Sequence, residues 1–138
     1  MSTVAVSRED LMALREKYRR LVDLRRSRDA AEKAGLKAFP SEVRAVRRAA
    51  LRALAAEFPG ALRELDVLTA ARLRERLGEV ERALSGGPVP EWLRACSLLH
   101  ALLRERLRTG RGSLKAIWSA VADHMAMTPG EAQRLVYS

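Results

Sequence analysis

Apolar residues in this chain recur at intervals of three and four, and no stretch alternates them with polar residues over a useful length. That period belongs to one face of an α-helix, whereas a half-buried strand needs a period of two. Composition agrees. Leucine and alanine supply most of the apolar content, and Tyr18, Phe39, Phe58, Trp92, Trp118 and Tyr137 are the only aromatic residues. Strands prefer β-branched and aromatic side chains, so the balance favours helix. The sequence predicts an all-α fold: a single domain over residues 1–138, built as a bundle of six to seven helices with a long N-terminal helix. A chain of 138 residues buries a real core without metal or disulfide staples.

Punctuation marks places the helices. Residues 1–6 read as a flexible tail. Ser7 offers a cap to a first helix over 8–34, with a narrow stripe of Leu11, Leu14, Tyr18, Leu21 and Val22. Its second half holds almost no large apolar residue. After Gly35, the pair Phe39-Pro40 opens a second helix to Phe58, with Val43, Val46, Ala50, Leu54 and Phe58 expected along one side. Phe58-Pro59 repeats the pattern and opens a short third helix containing Leu62 and Leu65. Thr69 caps a fourth, striped by Leu73, Leu77, Val80 and Leu84. Gly86-Gly87-Pro88 is the clearest break. A fifth helix follows Pro90, carrying Trp92, Cys96, Leu99, Leu103 and Leu107. Ser113 caps a sixth with Leu114, Ile117, Trp118, Val121 and Met125. Thr128-Pro129-Gly130-Glu131 is a cap, a proline at the first helical position and a capping-box glutamate in succession.

The net charge is +9, and of 26 basic residues all but Lys17, Lys33, Lys37 and Lys115 are arginine. The planar guanidinium binds two phosphate oxygens at once. A GC-rich genome also raises arginine and alanine together. Residues 1–58 carry +6, residues 59–88 are neutral and residues 89–138 carry +3. Arg44, Arg48 and Arg52 stand four apart with Arg47 beside them, and no acid lies among them. Like charges at this spacing repel. An anionic partner, or acids such as Glu64, Glu75 and Glu79 from other helices, would relieve the strain. Arg104, Arg106, Arg108 and Arg111 form a second cluster, where a helix C-terminus already favours cations.

Signatures of catalysis are thin. Cys96 and His100 share a helix face, but their neighbours Trp92, Leu99 and Leu103 point to burial rather than a Cys–His dyad. Cys96, His100 and His124 are too few for a structural zinc site, and no glycine-rich loop has the lysine and strand context of a phosphate cradle. No enzyme, no cofactor and no metal is expected. No apolar run is long enough to span a bilayer, so no membrane partner and a cytoplasmic location are expected.

Residues 118–137 read Trp-Ser-Ala-Val-Ala-Asp-His-Met-Ala-Met-Thr-Pro-Gly-Glu-Ala-Gln-Arg-Leu-Val-Tyr. This stretch resembles the bacterial helix-turn-helix family, with the preceding cap placing the motif within 114–137. Ala122 stands where two helices cross closely, Ala126 stands at the turn, and Val121, Met125, Met127, Ala132 and Leu135 stand at the shared core. The family usually has glycine at the turn, and this recognition helix is short. The resemblance implies double-stranded DNA as partner, with Thr128, Gln133 and Arg134 facing the groove. The leading expectation is a non-enzymatic DNA-binding or DNA-associated basic protein. Arg44, Arg47, Arg48 and Arg52, with Arg108 and Arg111, would hold phosphate, and a homodimer would form through the first helix. The alternative is a helical interaction module for an acidic protein partner.

Overall fold

The computed structural model describes residues 6–35 and 40–138, and every regular element among them is a helix. These are α1 (Arg8–Lys33), α2 (Ser41–Glu57), α3 (Ala61–Val67), α4 (Ala70–Leu84), α5 (Glu91–Thr109), α6 (Leu114–Met125) and α7 (Pro129–Val136). The all-α bundle with a long N-terminal helix is the fold that the spacing of apolar residues predicts.

Side-chain caps fix the helix starts. Ser7 accepts from the Asp10 N–H, Thr69 from Arg72, Ser113 from Ala116 and Thr128 from Glu131. Each such cap contributes about 1 kcal/mol relative to alanine. Residues 1–5 of the expected tail and Phe39 of the first Phe-Pro pair lie outside the described residues. Val6, also assigned to the tail, instead rests half-buried on the core. The second Phe-Pro anchor is visible: Phe58 is buried, 5.6 Å from the His100 ring.

The helices α1 and α4 form the main antiparallel pair. Arg8 Nη1 donates to the Leu84 carbonyl at one end (3.2 Å), and Ala30 and Lys33 share a groove with Ala70 and Arg74 at the other. The helices α5, α6 and α7 pack on one another, and α3 sits against α1. Leu11, Leu14, Tyr18, Leu21 and Val22 are all buried within the chain. The stripe expected to be a dimer seam is therefore already covered by the chain's own core. The polar second half of α1 is held by guanidinium groups. Arg25 Nη1 donates to the Leu65 and Leu68 carbonyls, 3.0 Å each, at the C-terminal end of α3.

The expected apolar side of α2 is half wrong. Leu54 and Phe58 are buried, but Val43 is 45% exposed and Val46 72%. The one residue buried within α2 is Leu54, near its C-terminal end, and Arg47 alone of its first two turns is half-buried, so Val43 and Val46 remain exposed. Val46 and Leu65, equivalent in the apparent repeat of Phe-Pro starts, thus have opposite environments.

Among the described residues, three charged side chains lie in the core: Lys17, Glu64 and Arg76, the last with no exposed surface. Glu64 Oε1 accepts from Tyr18 OH (2.5 Å) and from Arg76 Nη1 (2.9 Å), while Lys17 pairs with Oε2. Arg76 Nη2 reaches the carbonyls of Leu135 (3.2 Å) and Ser138 (3.0 Å). The same guanidinium lies 4.5 Å from the Trp92 ring, whose Nε1 donates to Glu79. One cation thus pairs with a carboxylate and also caps the negative C-terminal end of α7. Burial alone would lower the Arg76 pKa, but Tyr18, Cys96 and Glu64 around it outweigh burial and hold it above its ordinary value.

Candidate nucleic-acid interface

Two helices joined by a tight turn make up the C-terminal unit. The C-terminal end of α6 closes with Ala126 in the left-handed region, φ 55° and ψ 48°. The Ala126 N–H donates to the Asp123 carbonyl (3.3 Å) and the Met127 N–H to the Ala122 carbonyl (3.0 Å), which is the paired bonding of a Schellman turn. A glycine would adopt this φ freely, and alanine does so at about 1 kcal/mol. The departure from glycine at this position therefore changes the energy of the turn and not its shape.

Two residues past Ala126, the capping box is complete. Thr128 Oγ1 accepts from the Glu131 N–H (3.2 Å), and Glu131 Oε1 accepts from the Thr128 N–H (3.4 Å). Ala122, Val121, Ala132 and Val136 are buried between the helices, with Met125, Met127 and Leu135 partly buried around them. Ala132 and Val136 take the inner face of α7, so the outer face is free. There Thr128 and Arg134 are exposed and Gln133 is half-buried.

The arginines divide into two kinds. Arg44, Arg48 and Arg52 are exposed, and none forms an ion pair among the described residues. Glu64 is taken by Lys17 and Arg76, and Glu75 and Glu79 by Arg72. The acids considered as partners for the α2 ridge are thus committed elsewhere. Arg47 differs from its neighbours. Its Nη1 donates to the Leu24 carbonyl (3.0 Å) and to Ser27 Oγ (2.8 Å), tying α2 to α1. Burial and the nearby Arg28 lower its pKa. Arg108 makes two bonds to Glu105, 3.1 and 2.5 Å, and Arg111 is exposed on the α5–α6 connection.

These candidates do not form one cluster by contact. The α2 helix packs on α1 and α3, whereas α7 packs on α5 and α6. Cys96 is buried, and burial with the Glu64 charge pushes its thiol pKa up, away from the thiolate a dyad needs. His100 has its pKa lowered to about 4 by burial and by Lys17 and Arg104. Among the described residues, no three of His, Cys, Asp and Glu are grouped to hold a metal, and no helix is long and apolar enough to cross a membrane.

The buried charges are what sequence reasoning missed, yet they carried a signal. Lys17 stands between Leu14 and Leu21, Glu64 between Ala61 and Leu68, and Arg76 between Leu73 and Val80. Each is three residues after one buried position and four before another, which places the charge on the buried face. No family model, curated protein or solved structure matches the chain.

Proposed function

We propose that the protein binds double-stranded DNA without catalysing a reaction, using α6 and α7 as a helix-turn-helix. The observation that carries this reading is the α6–turn–α7 unit itself: a closed Schellman turn, a complete capping box and an outward face bearing Thr128 and Arg134. In such units the N-terminal residues of the second helix approach base edges. Thr128, Gln133 and Arg134 are the base-facing side chains in this reading. Arg44, Arg48 and Arg52, which make no ion pair among the described residues, hold phosphate with Arg111. Arg47 and Arg108 play smaller parts, because their donors are already engaged. Since α1 is spent in the core, any dimer forms through another surface. Val43 and Val46 of α2 are among the exposed apolar residues that such a surface could use.

The test is a mobility shift of duplex DNA over a range of salt. Binding should weaken linearly in log–log form, with each lost phosphate contact lowering the slope by about 0.9. Arg134→Gln should relax sequence preference, and Arg48→Gln should weaken all sequences alike. A wild-type protein that shifts no duplex at low ionic strength ends this reading. The exposed Arg44, Arg48 and Arg52 of α2, which make no ion pair among the described residues, favour a second one, in which that helix docks on an acidic protein. A single acidic partner recovered from cell extract, with no DNA affinity, would select it.

A further inference from the structure

A groove of about 310 Å³ lies between the start of α3, the C-terminal half of α5, the start of α6 and Tyr137. Ligand pockets begin near 300 Å³, so it has room for a small molecule. One wall is a row on α5: Leu99, Leu103 and Leu107, each four residues after the last. That row runs along about 12 Å of helix. The opposite wall is Leu114 and Trp118 of α6. Leu107 is 66% exposed and Leu114 52%, although both occupy stripe positions on their helices. None of the described residues covers them.

The polar groups of the groove keep hydrogen-bonding capacity that the described residues do not use. Arg63 makes no ion pair or hydrogen bond among the described residues, and its guanidinium rests 4.3 Å from the Tyr137 ring centre. The Tyr137 hydroxyl faces Gly60, 3.7 Å from where a side chain there would begin, and has no hydrogen-bond partner among the described residues. Burial, with the Glu64 charge, raises its pKa, so it remains a donor at neutral pH. Arg106 uses only its Nε, on the Gly112 carbonyl (3.1 Å), and its Nη groups are unengaged. An apolar trough with two incompletely bonded guanidinium groups and a phenol donor is complementary to an apolar tail bearing a carboxylate.

We propose that this groove binds an amphipathic carboxylate of the medium-chain fatty-acid class. Arg63, Arg106 and the Tyr137 hydroxyl hold the carboxylate, and the Leu99–Leu103–Leu107 row and Trp118 hold the acyl chain. The site stands independently of DNA binding.

Both tryptophans are buried, but Trp118 lines the groove whereas Trp92 lies beside Arg76 and does not. Decanoate brominated at its far end quenches a tryptophan that it touches. The expected result is saturable quenching of the native protein, reversed by plain decanoate and absent from Trp118→Phe. The double variant Arg63→Gln, Arg106→Gln should keep its helical circular dichroism and bind at least about tenfold more weakly, because two charge-assisted contacts are lost. The neutral analogue decanol should be weaker by a similar factor. Equal binding of decanol and decanoate, undiminished quenching in Trp118→Phe, or no saturable quenching overturns the proposal.

Discussion

Arg76 on α4 and Arg48 on α2 are the same residue type and meet opposite fates. Arg76 has no exposed surface and bonds to Glu64, Tyr18 and two backbone carbonyls. Arg48 is exposed on α2 and makes no ion pair among the described residues. The difference lies in what stands three and four residues away. Arg76 is bracketed by Leu73 and Val80, which the core claims. Arg48 stands in a row with Arg44 and Arg52, all three exposed. A charge on a packed stripe must be matched by partners. A charge on an unpacked one remains available for a partner outside the chain.

The contrast can be broken most severely at Arg76. Arg76→Ala leaves Glu64 with one buried cation instead of two and uncaps α7, and should cost about 3–5 kcal/mol in urea unfolding. A loss under 1 kcal/mol would mean that the network contributes little.

A smaller effect is expected from pH at His100, which lines the same cleft as Lys17 and Glu64. Its pKa lies at about 4, below the ordinary 6.5. The unfolded chain therefore takes up the proton first as acid is added. Stability should fall between pH 6.5 and about 4 and change no further from this residue below that. Partial solvent exposure limits the loss to about 1–2 kcal/mol. His100→Gln should remove that part of the acid slope in denaturation measured across this range, and an unchanged slope would assign it elsewhere.

Ala126→Gly tests the exposed end of the molecule. It should raise stability by about 0.5–1 kcal/mol by relaxing the left-handed residue, less than the full strain because glycine is freer when unfolded. A thermal midpoint that falls would show that the methyl group packs. The smallest change is expected from Arg48→Gln, within about 0.5 kcal/mol of wild type, since surface substitutions away from special features rarely do more. A clear gain in stability would show that repulsion along the arginine row is relieved by nothing in the isolated chain.

Helix starts were the most legible part of the sequence, because a cap is local. Ser7, Thr69, Ser113 and Thr128 each bond within three residues, and all four cap where the sequence places them. Burial was less legible, because it depends on which helix arrives opposite. Val46 has the spacing of a core residue and is 72% exposed. Arg76 has the chemistry of a surface residue and is fully enclosed. The exposed residues of the candidate interface, Thr128 and Arg134, could be listed from the sequence. The apolar groove could not, since its walls come from α3, α5, α6 and Tyr137, and only the tertiary fold makes them neighbours.

The bonds of Arg76 also set an order of assembly. Its carboxylate partner lies 12 residues earlier in the chain, and its carbonyl partners lie 59 and 62 residues later. Until the segment after α6 has docked, the interior holds a guanidinium with half of its acceptors missing. A partly built bundle is therefore penalised at its centre rather than at its frayed edge, which makes the last helix a condition for closing the first ones. Hydrogen exchange should then release the amides of α4 and α7 in one event. Opening of α7 that leaves α4 fully protected would contradict it.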